Sequence, residues 1–209
     1  MNNLIENNKV EIIGEVSKEA EFRHELYCEK FYKIFVIARR MSGYEDEIPV
    51  MVSDRLVNPD EFSVKQRVRI FGRFNSYNHR DELKNRLILS VFAQEIEFLD
   101  DMQSDLEENN IFLDGYICKE PIYRKTPLGR EISNLLLAVN RSYGKSDYIP
   151  CIVWGRNARF ASDFELGTHV IIRGRIQSRE YEKRISDEEV EKRTAYEVSG
   201  SQIEVVEVE

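Results

Sequence analysis

Side chains able to do covalent or metal chemistry are few and scattered in this 209-residue chain. His24, His79 and His169 each stand alone, and Cys28, Cys118 and Cys151 lie far apart. None has the short ligand spacing of a metal site, and three cysteines do not make a disulfide framework. No glycine-rich phosphate loop precedes a helix, and no serine-centred elbow is present. Acidic pairs such as Asp187 and Glu188 sit in a polar stretch and read as solvation. Catalysis, a bound metal and a cofactor are therefore not expected. What the chain does offer is basic residues interleaved with aromatic ones. Tyr148 and Trp154 run into Arg156, and Arg173, Arg175 and Arg179 run into Tyr181. An aromatic ring stacks on the π-face of any unpaired base, worth roughly 1–3 kcal/mol each, and a guanidinium adds phosphate and cation–π contacts.

Composition bounds this reading. The chain is 42% hydrophobic and 33% charged, a soluble globular balance, and its net charge is −8. An acidic total argues against a chain that is basic throughout, yet a local groove can still carry positive potential. No run approaches the ~18 consecutive apolar residues of a membrane helix. The start, MNNLIENNKVEIIGE, lacks the basic and apolar regions of a signal peptide. A cytoplasmic, reducing location and no membrane partner are expected.

The chain contains itself twice. At an offset of 101, Arg40 meets Arg141, Gly43 meets Gly144, Asp46 meets Asp147, Pro49 meets Pro150 and Val52 meets Val153. Gly14 and Gly115 share that offset. At 102, VRIFGRFNS (68–76) meets VIIRGRIQS (170–178), and at 107, QEIEFL (94–99) meets SQIEVV (201–206). Each copy is about 100 residues, an ordinary small domain. Between them DDMQSDLEEN (100–109) carries five acidic groups and reads as a solvated linker. The expected division is a domain over 1–99, a linker over 100–108 and a domain over 109–209.

In the second copy, 110–118, 131–143 and 147–154 read as strands bounded by glycine or polar residues. Pro150 favours an edge or a bulge in the third of these. Over 155–167 the period changes, with Ala158, Phe160, Ala161 and Phe164 at near-helical spacing. Residues 168–182 form a long strand with a mid-strand bulge signal at Gly174. A polar hairpin loop (RISDEEVEKR) and a last strand over 194–208 complete the copy. The first copy follows the same order, its helix start marked by Asn58, Pro59 and Glu61. Three strands, a helix and two strands form a sheet too small to leave its edges open, and closure into a barrel solves this. The fold class expected is all-β with short helices: two tandem five-stranded OB-fold barrels.

The second copy resembles the bacterial single-stranded DNA-binding protein family over nearly all of 109–206. The family's P-x-x-R-x-T-x-x-G lead appears as Pro121, Arg124, Thr126 and Gly129. Its V-V-V-W-G-K-x-A element appears as Ile152, Val153, Trp154, Gly155, Arg156 and Ala158. Its G-x-L-x-T-R-x-Y strand appears as Gly174, Ile176, Ser178, Arg179 and Tyr181. The resemblance implies non-catalytic binding of single-stranded DNA with little sequence preference, in replication, recombination or repair. It places the base-stacking positions on Tyr143, Tyr148, Trp154 and Tyr181. The phosphate candidates are Arg124, Lys125, Arg130, Arg141, Lys145, Arg156, Arg173, Arg175 and Arg179.

The first copy departs from the pattern. Glu47, Ser53 and His79 stand where the second copy has Tyr148, Trp154 and Tyr181. Arg39, Arg40, Tyr44, Arg73, Tyr77 and Arg80 remain as weaker contacts, so this copy is expected to bind weakly and serve chiefly in assembly. Single-barrel members of the family work in fours, so two-barrel chains are expected as a homodimer. The chain ends SQIEVVEVE, without the family's usual flexible acidic tail with an aromatic tip, so replication or recombination proteins, the further candidate partners, are expected to be recruited by another route. The competing expectation is an OB-fold docking module for such proteins with weak or no DNA binding. RNA is a further candidate ligand, which contacts to the 2′-OH would discriminate.

Overall fold

A computed structural model describes residues 6–81, 84–100, 107–184 and 190–207. In the first copy the strands are β1 (Asn8–Val16), β2 (Glu21–Leu26), β3 (Glu29–Arg39), β4 (Glu45–Ser53), β5 (Arg67–Asp81) and β6 (Lys84–Phe98). In the second they are β7 (Glu108–Lys125), β8 (Glu131–Asn140), β9 (Ser146–Trp154), β10 (His169–Arg184) and β11 (Val190–Val205). Among the described residues a single helix of α type, α1 (Arg156–Ala161), follows β9.

Each copy closes into a ring of five strands. In the first, β1 pairs with β3, β3 with β4, β4 in parallel with β6, β6 with β5, and β5 returns to β1. In the second, β7 pairs with β8, β8 with β9, β9 in parallel with β11, β11 with β10, and β10 returns to β7. Alternation fills each ring: Ile34, Val36, Ile48, Val50, Ile70 and Phe74 point into one, and Leu113, Leu137, Ile149, Val153, Ile172 and Ile176 into the other, all fully buried. Each such side chain contributes roughly 1.5–3 kcal/mol on leaving water.

Both rings bend at a glycine. The register shifts at Phe71/Gly72 in β5 and at Arg173/Gly174 in β10, as the sequence anticipates for Gly174. A Cβ on Gly174 would collide with the Ser199 carbonyl oxygen, and one on Gly72 with that of Phe92. The bulge therefore requires the residue without a side chain.

Several details differ from the sequence reading. The first copy has a sixth strand, because its chain breaks at Ser17–Ala20 and β2 then pairs with β3 alone, outside the ring. β7 runs unbroken through the equivalent stretch. The helix marked by Asn58 is one 3-10 turn, Pro59–Glu61, with the Asp60 N–H donating to Asn58 Oδ1 at 3.2 Å. The 184–193 hairpin stays paired out to Arg184 and Val190. Strand β7 begins at Glu108, the last residue of the expected linker, most of which (101–106) lies outside the described residues. Pro150 stands just before the short parallel register of β9 with β11, which runs over Cys151–Val153.

The two rings are joined by their first strands. Antiparallel pairing of β1 with β7 runs from Asn8 opposite Leu113 to Ile13 opposite Glu108. All eleven strands thus form one continuous sheet. Among the described residues no helix is long and apolar enough to cross a membrane.

Candidate nucleic-acid interface

Strand β9 divides its residues by face. Asp147, Ile149, Cys151 and Val153 point into the ring, while Tyr148 and Trp154 point out, 44% and 40% exposed. Alternation alone leaves the face bearing Ile152 and Trp154 free to be core or surface; here Ile152 is covered and Trp154 is open.

Trp154 stands in a groove of about 630 Å³ that draws on both copies. Arg130 reaches it from a tight turn in which the Thr126 N–H donates to the Arg130 carbonyl and the Arg130 N–H donates to Thr126 Oγ1. Gly129, in the left-handed region at φ 77°, permits that turn. Arg175 and Arg179 project from β10, and Arg40 and Tyr44 come from the β3–β4 loop of the first copy. Four arginines and two aromatic rings line the groove, and no carboxylate does. Burial, and then the nearby Arg40 charge, push the Arg175 guanidinium pKa down. Its buried Nε has no hydrogen-bond partner among the described residues. Such a site gains free energy when an anion enters it.

Arg40 and Arg141 have another job. Arg40 holds the fully buried Asp46 by two bonds of 2.6 Å, and Asp46 accepts from the Ser178 N–H of the other copy at 2.7 Å. Arg141 holds the equally buried Asp147, which accepts from the Ser76 N–H of the first copy. Arg141 also donates to the Ser76 carbonyl at 2.9 Å. The repeat thus places two equivalent locks across the seam. Arg141, expected as a phosphate contact, directs its guanidinium to Asp147 and Ser76, and Arg40 lines the groove with its charge balanced from beneath.

The other expected contacts are dispersed. Arg173 faces a different surface, 3.3 Å from Glu204 and over the Phe112 ring at 5.1 Å. Arg124, Lys145 and Arg156 are exposed outside the groove, and Lys125 stands 3.8 Å from Glu131. Arg39 is ringed by Glu15, Glu45 and Glu107. Arg73 donates to Asn7 Oδ1 at 3.1 Å. Tyr44 stacks under Arg40 at 4.4 Å. Tyr77 and Tyr181, 48% and 37% exposed, share a second cleft between the copies. The side chains of Tyr143, His79 and Arg80 lie outside the described residues. Asn157, Gln177 and Ser199 also line the Trp154 groove. No sequence signal marks them, because neutral polar residues on strands are ordinary surface. Among the described residues no cluster of His, Cys, Asp and Glu is arranged to hold a metal.

A family model described as "Single-strand binding protein family" matches residues 108–206. The "Single-stranded DNA-binding protein 2" of Listeria innocua is 37% identical over 81 residues, covering 35% of this chain and 51% of that protein. The "Single-stranded DNA-binding protein A" of Bacillus subtilis is 35% identical over 81 residues, covering 35% and 47%. This chain spans about half the length of the curated relatives it matches. Among solved structures, the wild-type single-stranded DNA binding protein from Thermus aquaticus superposes with a TM-score of 0.73 at 20% identity, covering 97% of this chain and 94% of that one. That likeness extends over both copies and shows the tandem OB-fold architecture.

Proposed function

We propose that this chain, whose residues 108–206 belong to the single-strand binding protein family, binds and coats single-stranded DNA with little sequence preference. The observation that carries the proposal is the Trp154 groove: two open aromatic rings, four arginines and no carboxylate, in a chain of net charge −8. Bases stack on Trp154 and Tyr44, and phosphates run along Arg130, Arg175 and Arg179. Tyr148 extends the stacking surface along β9. The chemistry reads π-faces and backbone charge, which every base shares, so sequence preference is weak. Replication, recombination and repair are the settings that need such a coat.

Trp154 is the only tryptophan, so its fluorescence reports this groove alone. Titration with oligo-dT is expected to quench it, with affinity falling as salt rises. Trp154→Ala, read by anisotropy of a labelled oligonucleotide, is expected to weaken binding by roughly 5- to 150-fold, the equivalent of about 1–3 kcal/mol per stacked base. Absence of binding at low salt overturns the proposal and leaves a protein-docking module.

Assembly is proposed on a separate surface. The outer face of the shared sheet presents Phe71 and Phe112 beside Lys9, Glu11 and Arg173. Two chains pair through it into a homodimer of four barrels.

A further inference from the structure

The neutral side chains of the Trp154 groove share one arrangement. Gln177, only 8% exposed, donates from its amide nitrogen to Glu197 Oε1 at 2.8 Å. Asn157 donates from its amide nitrogen to the Ser201 carbonyl at 3.0 Å. The hydroxyls of Ser178 and Ser201 donate to Asp46 Oδ1 and to the Arg173 carbonyl, each at 3.1 Å. Anchoring the nitrogen of an amide fixes its oxygen as the end left over. The Gln177 and Asn157 amide oxygens accept no hydrogen bond among the described residues, and neither is shut away from solvent as Arg175 Nε is. The arginines thus bring donors to the groove, and these four side chains bring lone pairs. A phosphate cannot use the lone pairs, because its own oxygens are acceptors. The edge of a base can, through its N–H groups. The groups are also within reach of a stacked base. The sheet runs β9, β11, β10 here, so a base on Trp154 at the end of β9 extends its edge toward Arg175 and Gln177, which stand two apart on one face of β10.

We propose that Gln177, with Asn157 and Arg175, reads the base edge and gives the groove a modest preference for bases with an exocyclic amine, cytosine over uracil or thymine among the pyrimidines. The proposal rests on the function proposed above and names the residues that set its base preference. Cytosine gives its N4 hydrogens to the Gln177 oxygen and takes the Arg175 Nε–H at N3 or O2. Asn157 offers a second acceptor from α1. Uracil and thymine set O4 against the Gln177 oxygen and have a single hydrogen to give, on N3. One hydrogen bond gained is worth about 2- to 12-fold in affinity, small enough to leave binding broadly indifferent to sequence.

The test compares oligo-dC with oligo-dU on the full chain, by Trp154 quenching at neutral pH. Each is about 8 nucleotides long, within the site of one barrel. The two rings are the same size and neither carries a methyl group, so stacking and phosphate contacts are matched and the edge is what differs. Wild type is expected to bind oligo-dC about 2- to 12-fold tighter. Gln177→Leu is expected to bring the two affinities together, and Asn157→Ala to narrow the gap. The readout is the ratio, which a general loss of stacking or of phosphate contacts leaves in place. Asn157→Ala also serves as the test if Gln177→Leu does not fold. Wild-type affinities that are equal, or that favour oligo-dU, overturn the proposal and leave the groove assignment intact. A preference for oligo-dC that persists undiminished in every variant that folds overturns it too, since the amine is then read elsewhere. Wild-type protein that binds neither oligonucleotide overturns the functional reading and this inference together.

Discussion

Arg141 and Arg179 are both arginines on the second copy, and their surroundings give them opposite roles. Arg141 spends its guanidinium on Asp147 and the Ser76 carbonyl, and the carboxylate holds its pKa up. Arg179 is exposed, over an aromatic ring and at the junction of the two grooves. Arg179→Ala is expected to leave unfolding unchanged and to lower the slope of log affinity against log salt by about 0.7, the share of one phosphate on a single strand. Arg141→Ala is expected to leave Asp147 buried without its partner and to cost about 3–5 kcal/mol in urea unfolding. An Arg141 variant that is fully stable but shifts the salt slope reverses the two assignments. Internal repetition makes Arg40, Arg141, Asp46 and Asp147 conspicuous in the sequence, but their partners Ser76 and Ser178 each lie on the other copy. A repeat aligns equivalent residues; it carries no information on which residues cross the seam.

At the scale of elements, each bulge is a point of close packing. Arg173 and Arg175 flank Gly174 on β10 and serve different surfaces, one over Phe112 and one in the Trp154 groove, while the unpaired residue of the bulge, Ser201, belongs to β11. Gly174→Ala is expected to destabilise the fold by about 1–3 kcal/mol, as an overpacked site does, because the Ser199 carbonyl occupies the space the methyl needs. Stability equal to wild type shows that the bulge can relax. Much of this level is legible beforehand. The alternation around Ile149 and Val153, the period change at Ala158 and the mid-strand Gly174 each announce their element. The extra strand β2 is not, since Phe22 to Leu26 is exposed along its whole length and leaves no buried face to read. The length of β7 is hidden for a related reason: beyond Ile117 it points no buried side chain into the ring.

For the whole molecule, the question is what covers the outer face of the eleven-stranded sheet. Phe71 and Phe112 are partly open there, bracketed by Arg69 with Glu11 and by Arg173 with Glu204. A face of mixed charge with aromatic centres suits a copy of itself, because each charge finds its opposite after rotation. Sedimentation equilibrium is expected to return twice the chain mass, and Phe71→Glu with Phe112→Glu the mass of one chain. A wild-type mass of one chain refutes the dimer. The grooves, by contrast, depend on juxtapositions that no local pattern encodes. Tyr44 and Trp154 are over a hundred positions apart, and only closure of both rings and the pairing of β1 with β7 brings them to one surface.

That pairing has a consequence for direction. Two identical subunits joined by a two-fold axis must make every substitution in duplicate, so a polymer lying across the axis fits equally well either way round. Here the two sides of the seam are encoded separately, Val10 and Ile12 on one strand and Ile111 and Leu113 on the other. The two halves have drifted apart: Ser53 stands on one side where Trp154 stands on the other. On the proposed function, a strand laid across both halves of one chain would meet unlike surfaces toward its 5′ and 3′ ends, so its two orientations there would differ in energy. Within a single chain the seam thus lacks the equivalence of its two sides that a pair of identical barrels would have.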